Sequence, residues 1–251
     1  MLTKILPLII GGLASVNALA LPKVSFGINS RAAGDVSVKQ LLEIAPTANT
    51  CDGAVKPDEC RTAEQAAKYL VPGLAEYGIV DKYEIAAVLS LIAFESVDFK
   101  FNTNQSPGRP GQGTRSMMMI DSILEYAKSI KELKPKVLEI APEGTSAESL
   151  NDEQKNKVRA LVLPDEYSFA SAAWFYKTKC DSVREAMKAP MPNAFALYGE
   201  CVGYPPDPKR EEKFALALKA FALPSPEGGA SSNGTAPAAP AASAPAPAPA
   251  A

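Results

Sequence analysis

Apolar residues recur along this chain at helical intervals far more often than in alternation, and they divide it into helices of modest length. Thr62 stands as an N-cap with Gln65 completing a capping box, and Ala63, Ala66, Leu70 and Leu74 then share one face. Pro72-Gly73 is expected to kink or break this helix, and Gly78 to end it. The next helix is predicted to open at Asp81 with Glu84 as its capping-box partner, and Ile85, Val88, Leu89 and Ile92 form the i, i+3, i+4, i+7 stripe. Ala86, Ala87, Leu91, Ala93 and Phe94 make its other sides apolar too, which places it at the centre of a domain. Positions 85, 88, 92 and 95 fall on one face, and position 95 is Glu.

Ser96 to Arg115 has little helix propensity. Phe99-Lys100-Phe101 alternates as a short strand would, and Gly108 to Gly113 supplies turn residues. Ser116 to Leu133 returns to helix, with Met119, Ile120, Ile123, Leu124, Ala127 and Ile130 as its buried face. A charged stretch over 134–149 reads as loop plus a short helix, and further helices are predicted at about 152–162, 166–177 and 181–188. Asp207 and Pro208 take the N-cap and N1 positions of a last helix that buries Phe214, Ala217, Leu218 and Phe221. The expected fold class is mainly α (α+β): a helical domain with a small β-hairpin or structured loop after the central helix.

The ends read differently. Lys4, the apolar run Ile5–Val16 and Ala18-Leu19-Ala20 make 1–20 a secretory signal peptide, so a secreted, extracellular protein is expected. Residues 21–50 read as an N-terminal arm, 51–223 as the helical domain and 224–251 as a disordered Ala/Pro-rich tail, a possible cell-wall attachment. Asn233-Gly234-Thr235 in that tail is a sequon, which makes Asn233 a glycosylation candidate. No later apolar run is long enough to span a bilayer.

Composition narrows the chemistry. Of 251 residues, 47% are hydrophobic and 22% charged, which fits a globular domain. A net charge of −2 without basic runs argues against nucleic acid as a partner. There is no histidine, which removes Ser-His-Asp and Cys-His catalysis and His-ligated zinc together. Four cysteines allow three pairings. In an exported chain the local choice, Cys51–Cys60 with Cys180–Cys201, is favoured over zinc, for which no C-x-x-C spacing exists. No metal and no cofactor are expected, and the protein is expected to be a monomer.

Glu95 is the candidate catalytic residue. A carboxyl held against Val88, Leu91 and Ile92 would resist ionisation and keep a proton, as a general acid for glycosidic cleavage must. Asn102, Asn104 and Gln112 offer donors and acceptors for sugar groups, while Phe99 and Phe101 offer a stacking face. Ser96, Thr114 and Arg115 could hold a water or orient the acid. Asp98 is the nearest second carboxylate, useful only if the chain turns sharply. The blander account makes Glu95 a solvated helix end, the two Phe core residues and Met117-Met118-Met119 core filling.

Glu95-Ser96, Phe99 and Asn102, followed by Gly111-Gln112-Gly113-Thr114-Arg115 and Met117-Met118, resemble the active-site unit of the lysozyme superfamily, which includes goose-type lysozymes, lytic transglycosylases and plant-type chitinases. Ser168-Phe169-Ala170-Ser171-Ala172-Ala173-Trp174-Phe175, with Cys180 after it, is similar to a late helix of plant-type chitinases. Gly113-Thr114-Arg115 departs from the transglycosylase pattern. The resemblance implies a glycoside hydrolase acting on a β-1,4-linked amino-sugar polymer (chitin, chitosan or peptidoglycan), with Glu95 as general acid and Ser96, Asn102, Asn104, Gln112, Thr114 and Arg115 on the substrate. Two other readings compete. One is a non-catalytic carbohydrate-binding or host-interaction protein on the same fold; the other is a structural wall protein displayed on its tail.

Overall fold

The computed structural model describes residues 36–188 and 193–225. The expected signal peptide, residues 21–35 of the expected arm, and the chain from 226 with Asn233 lie outside the described residues. Within them the fold is mainly helical, with ten α-helices, three short 3-10 turns and no strand.

The remaining part of the arm belongs to the core. Ser37 and Gln40 form a reciprocal capping box that opens α1 (Val38–Ile44), and Leu41, Ile44, Ala45 and Ala48 are fully buried. α2 (Ala63–Glu76) begins at the Thr62–Gln65 capping box, as the sequence predicts, but it does not break at Pro72-Gly73. Gly73 instead lets α2 press on α7 (Asp165–Lys179). A Cβ there would stand 3.0 Å from the Ala170 Cα.

α3 (Lys82–Glu95) is the central helix, with ten consecutive residues buried from Glu84 to Ala93. Asp81 caps it by accepting from the Tyr83 and Glu84 amides. Glu84 is not a capping-box partner: its buried carboxylate meets Arg184 Nε at 2.6 Å and the Tyr176 hydroxyl at 3.2 Å. A buried charge needs a countercharge more than a helix end needs a second cap.

The helix expected over 116–133 is shorter, α4 (Ile120–Ser129), because Met117 N donates to Thr114 O and Gly113 N to Met118 O, which turns the preceding residues into a loop. α5 (Lys134–Ile140) and α6 (Asp152–Leu161) follow near their predicted places, then α7 and α8 (Arg184–Met187). α9 (Ala194–Val202), which the pattern reading misses, is closed by Gly203 at φ 87°, before α10 (Pro208–Ala220) capped by Asp207.

Two apolar clusters result. One gathers α1 to α3 with α7 to α10; the other surrounds α4 to α6. α7 is their common wall: Phe169, Ala172 and Tyr176 belong to the first cluster and Trp174 to the second. Both disulfides form as the local pairing predicts, Cys51–Cys60 and Cys180–Cys201. The second ties α9 to the end of α7, at about 3 kcal/mol for a loop of this length.

Candidate functional site

Glu95 ends α3 as expected, but no apolar wall receives its carboxylate. Arg210 Nη2 on α10 lies 2.6 Å from Oε1, and the guanidinium lies over the rings of Phe94, at 4.3 Å, and Tyr204, at 4.2 Å. Asp98 is likewise committed, accepting from the amide and hydroxyl of Thr47 and from Lys213. The two carboxylates are each neutralised by a separate cation, so they do not form an acid and base pair.

The loop after α3 turns its polar side chains inward. Val97, Asp98 and Phe99 occupy the left-handed region in succession, at φ 51°, 53° and 66°. Ser96 anchors this turn: its Oγ donates to Ile92 O and accepts from the Phe99 amide. Arg115, with no exposed surface, donates to the carbonyls of Phe99, Phe101 and Glu59 and lies 4.5 Å over the Phe169 ring. Burial pulls its guanidinium below the usual arginine range, against the raising influence of Asp165.

Glu59 gathers the next residues, accepting from the amides of Asn102 and Thr103 and from the Thr103 hydroxyl. Asn104 accepts from the amides of Gly108 and Arg109, and Gln112 donates to Met117 O. Thr114 donates to Ser168 O and touches the Ser171 hydroxyl. The expected hairpin reduces to isolated bridges, Thr103 with Gly113 and Gly113 with Met118. Six residues assigned to substrate by sequence thus hold the loop together.

The place best suited to a ligand lies beyond that loop. A cavity of about 150 Å³ opens between the loop's end, α3, α7 and α9. Its walls are apolar (Leu91, Met117, Met118, Ala172, Phe175 and Val202 among them), and no charged side chain among the described residues lines it. Three residues that carry hydroxyls, Ser116, Ser122 and Tyr198, stand among the lining residues. Ser116 Oγ and Tyr198 Oη are buried and have no hydrogen-bond partner among the described residues. Leaving such a group unpaired costs about 1–3 kcal/mol, so a ligand oxygen brought within reach of either one would meet an unsatisfied demand.

Burial, with Tyr204, Tyr176 and Glu95 nearby, pushes Tyr198 well above the ordinary tyrosine range. It therefore stays protonated and can donate. At the cavity edge Met117 has φ 47°, an uncommon conformation for a bulky residue and one that often marks functional positions.

A larger cavity of about 330 Å³ is lined by Tyr77, Tyr126, Tyr167 and the exposed carboxylates of Glu76, Glu132 and Glu166. Its most buried hydroxyl, on Tyr126, is already bonded to Tyr167 O at 2.8 Å. It presents no comparable unmet demand. Among the described residues no three His, Cys, Asp or Glu converge to hold a metal ion, and no helix is long and apolar enough to cross a membrane.

Sequence reasoning missed Tyr198 because it sits in an apolar run, Ala194–Val202, whose helical spacing was the only available signal. Ser116 and Met117 were read as helix, and their turn depends on bonds back to Gly113 and Thr114.

No family model and no solved structure matches this chain. A curated relative is the bifunctional dioxygenase (DOX)-epoxy alcohol synthase (EAS) of Fusarium oxysporum (strain Fo5176), 43% identical over 161 residues. The match covers 63% of this chain, which spans only 12% of the relative's length. This similarity overturns the lysozyme-superfamily resemblance and the glycoside hydrolase drawn from it. The chitin, chitosan or peptidoglycan substrate falls with it, as does the carbohydrate-binding alternative. The geometry agrees: Ser96, Asn102, Thr114 and Arg115 are buried and present no sugar-binding face.

Proposed function

We propose that this chain is a binding module for a small apolar molecule that carries oxygen, with short epoxy alcohols as the favoured class. The observation that carries this reading is the pair of buried hydroxyls without a partner among the described residues, Ser116 Oγ and Tyr198 Oη, on two residues that line one apolar cavity. A neutral phenol donates to an epoxide or hydroxyl oxygen, and a serine hydroxyl can both donate and accept. The methionines and Phe175 receive the hydrocarbon part. A cavity near 150 Å³ is about the size that admits benzene, so a chain of roughly six carbons fits it.

The relative's printed activities support an oxygenated ligand, and its much greater length supports a contributory role for the shared stretch. With only neutral hydroxyls on the cavity wall, holding a molecule is better supported than proton transfer to or from it.

Calorimetric titration with 2,3-epoxyhexan-1-ol, with hexane and 1-hexanol as controls, tests the reading. Binding of the epoxy alcohol is expected, weakened about tenfold by Tyr198→Phe, the worth of one buried hydrogen bond. Absence of binding, or equal affinity in a Ser116→Ala/Tyr198→Phe double variant, sinks it.

A further inference from the structure

Three methionines end the loop, and they are not equivalent. Met118 is 4% exposed and packs into the second apolar cluster, whereas Met119 is 45% exposed at the cavity edge. Arg109 Nη1 approaches the Met119 sulfur at 3.8 Å. The backbone at Arg109 is fixed, its amide donating to Asn104 Oδ1 and its carbonyl accepting from the Gln112 amide. No carboxylate among the described residues pairs with Arg109, so its charge is directed at the thioether. A cation held on an exposed sulfur at a cavity mouth is not needed for packing.

We propose that Met119 is a sulfoxidation site for hydroperoxides and that Arg109 positions the reaction. The sulfur lone pair attacks the terminal peroxide oxygen. The S–O bond forms as the O–O bond breaks, and the departing oxygen leaves as hydroxide or alkoxide beside the Arg109 guanidinium, which stabilises it. The proton of the transferred hydroxyl then passes to that anion. The thioether is oxidised by two electrons to a sulfoxide, and the peroxide is reduced to water or an alcohol. The sulfoxide oxygen is a stronger acceptor than the thioether sulfur, so Arg109 holds it in place. A polar group then stands at the mouth of an apolar cavity, and affinity for an apolar ligand falls. This consequence rests on the cavity being a ligand site; the modification does not.

The full chain is treated with dilute hydrogen peroxide and the tryptic peptide that starts at Ser116 is sequenced by tandem mass spectrometry over time. Met119 sulfoxide is expected to form about tenfold faster than Met118 sulfoxide, in line with exposure, and several-fold faster than that of Met117, in line with the Arg109 contact. Arg109→Gln is expected to remove the preference over Met117. Equal rates at Met117 and Met119, or a preference unchanged in Arg109→Gln, overturns the site.

Titration with 2,3-epoxyhexan-1-ol before and after oxidation tests the gate. About tenfold weaker binding is expected, restored by methionine sulfoxide reductase. Selective oxidation with unchanged affinity overturns the gate alone. Failure of the unoxidised protein to bind overturns the ligand site and with it the gate, while the mass-spectrometric result stands on its own.

Discussion

The Glu95 carboxylate and the Arg210 guanidinium, 115 positions apart, meet at 2.6 Å, and the cation also lies over the aromatic rings of Phe94 and Tyr204. The pair joins the end of the central helix to α10, which also packs along α1 and α3. Its side chains are only 18% and 15% exposed, so the interaction is worth more than a surface ion pair. Glu95→Gln is therefore expected to lower stability by about 2 kcal/mol. Urea unfolding of the variant provides the measurement, and an unchanged midpoint would count against the pair as a fastening.

Tyr198 should behave in the opposite sense. Its hydroxyl is buried without a partner among the described residues, so Tyr198→Phe removes an unmet demand and loses little packing. The variant is expected to be more stable than the parent by about 1 kcal/mol while binding the ligand less well. A residue kept for structure would not show that divergence. Loss of stability in Tyr198→Phe would mean that the hydroxyl is satisfied in solution.

Val97 tests the turn after α3. A β-branched residue at φ 51° carries about 1–2 kcal/mol of backbone strain, and this side chain is 56% exposed, with little packing to lose. Val97→Gly is expected to raise stability by about 1 kcal/mol after glycine's own entropic cost. Thermal denaturation reads the change, and a lower melting temperature would show that the valine makes contacts outweighing its strain.

Alkaline pH offers a fourth measurement. Burial, reinforced by Glu76, pushes Tyr77 up to about 12, and burial also pushes Tyr204 up to about 12 against the lowering influence of Arg210. Unfolded tyrosine titrates near 10. Folded values above the unfolded one mean stability that is complete below pH 10 and is lost as pH rises through about 12. Arg115, at about 10 in the fold, has the opposite slope, but Tyr126, Tyr176 and Tyr198 are raised as well and outweigh it. Stability should fall between pH 10 and 12, with late tyrosinate absorbance. Ionisation of every tyrosine near pH 10 with the fold intact would contradict this.

The parts of the structure legible in the sequence are those set by local spacing. α3 is recognisable because an all-round apolar run can only be buried, and the Thr62–Gln65 and Asp81 caps mark where helices begin. The disulfides follow from their short separations of 9 and 21 residues. The Ser37–Gln40 capping box was equally available but sat in a stretch of mixed composition.

What was not legible depends on distant partners. Glu95 falls on the face that its phase predicts, yet Arg210 decides its environment. Asn102, Thr114 and Arg115 suggest a polar cleft in sequence, and only burial of all three, with Ser168 and Phe169 against the last two, reveals that they belong to the interior. Tyr198 has no local signal of function, because an unmet hydrogen bond is a property of everything around it.

Gly73 has a reach that its position on α2 does not suggest. The missing methyl allows α2 to seat directly on Ala170, and that contact fixes how far α7 stands from its neighbour. The residues beside Ala170 grip the loop, Ser168 and Ser171 through Thr114 and Phe169 beneath Arg115, while Ala172, across the helix from Ala170, forms part of the apolar cavity. α7 thus works as a spacer with one end set against glycine. A side chain at position 73 would lengthen the spacer by a carbon and narrow the bore from behind, with no change to any residue that a ligand touches.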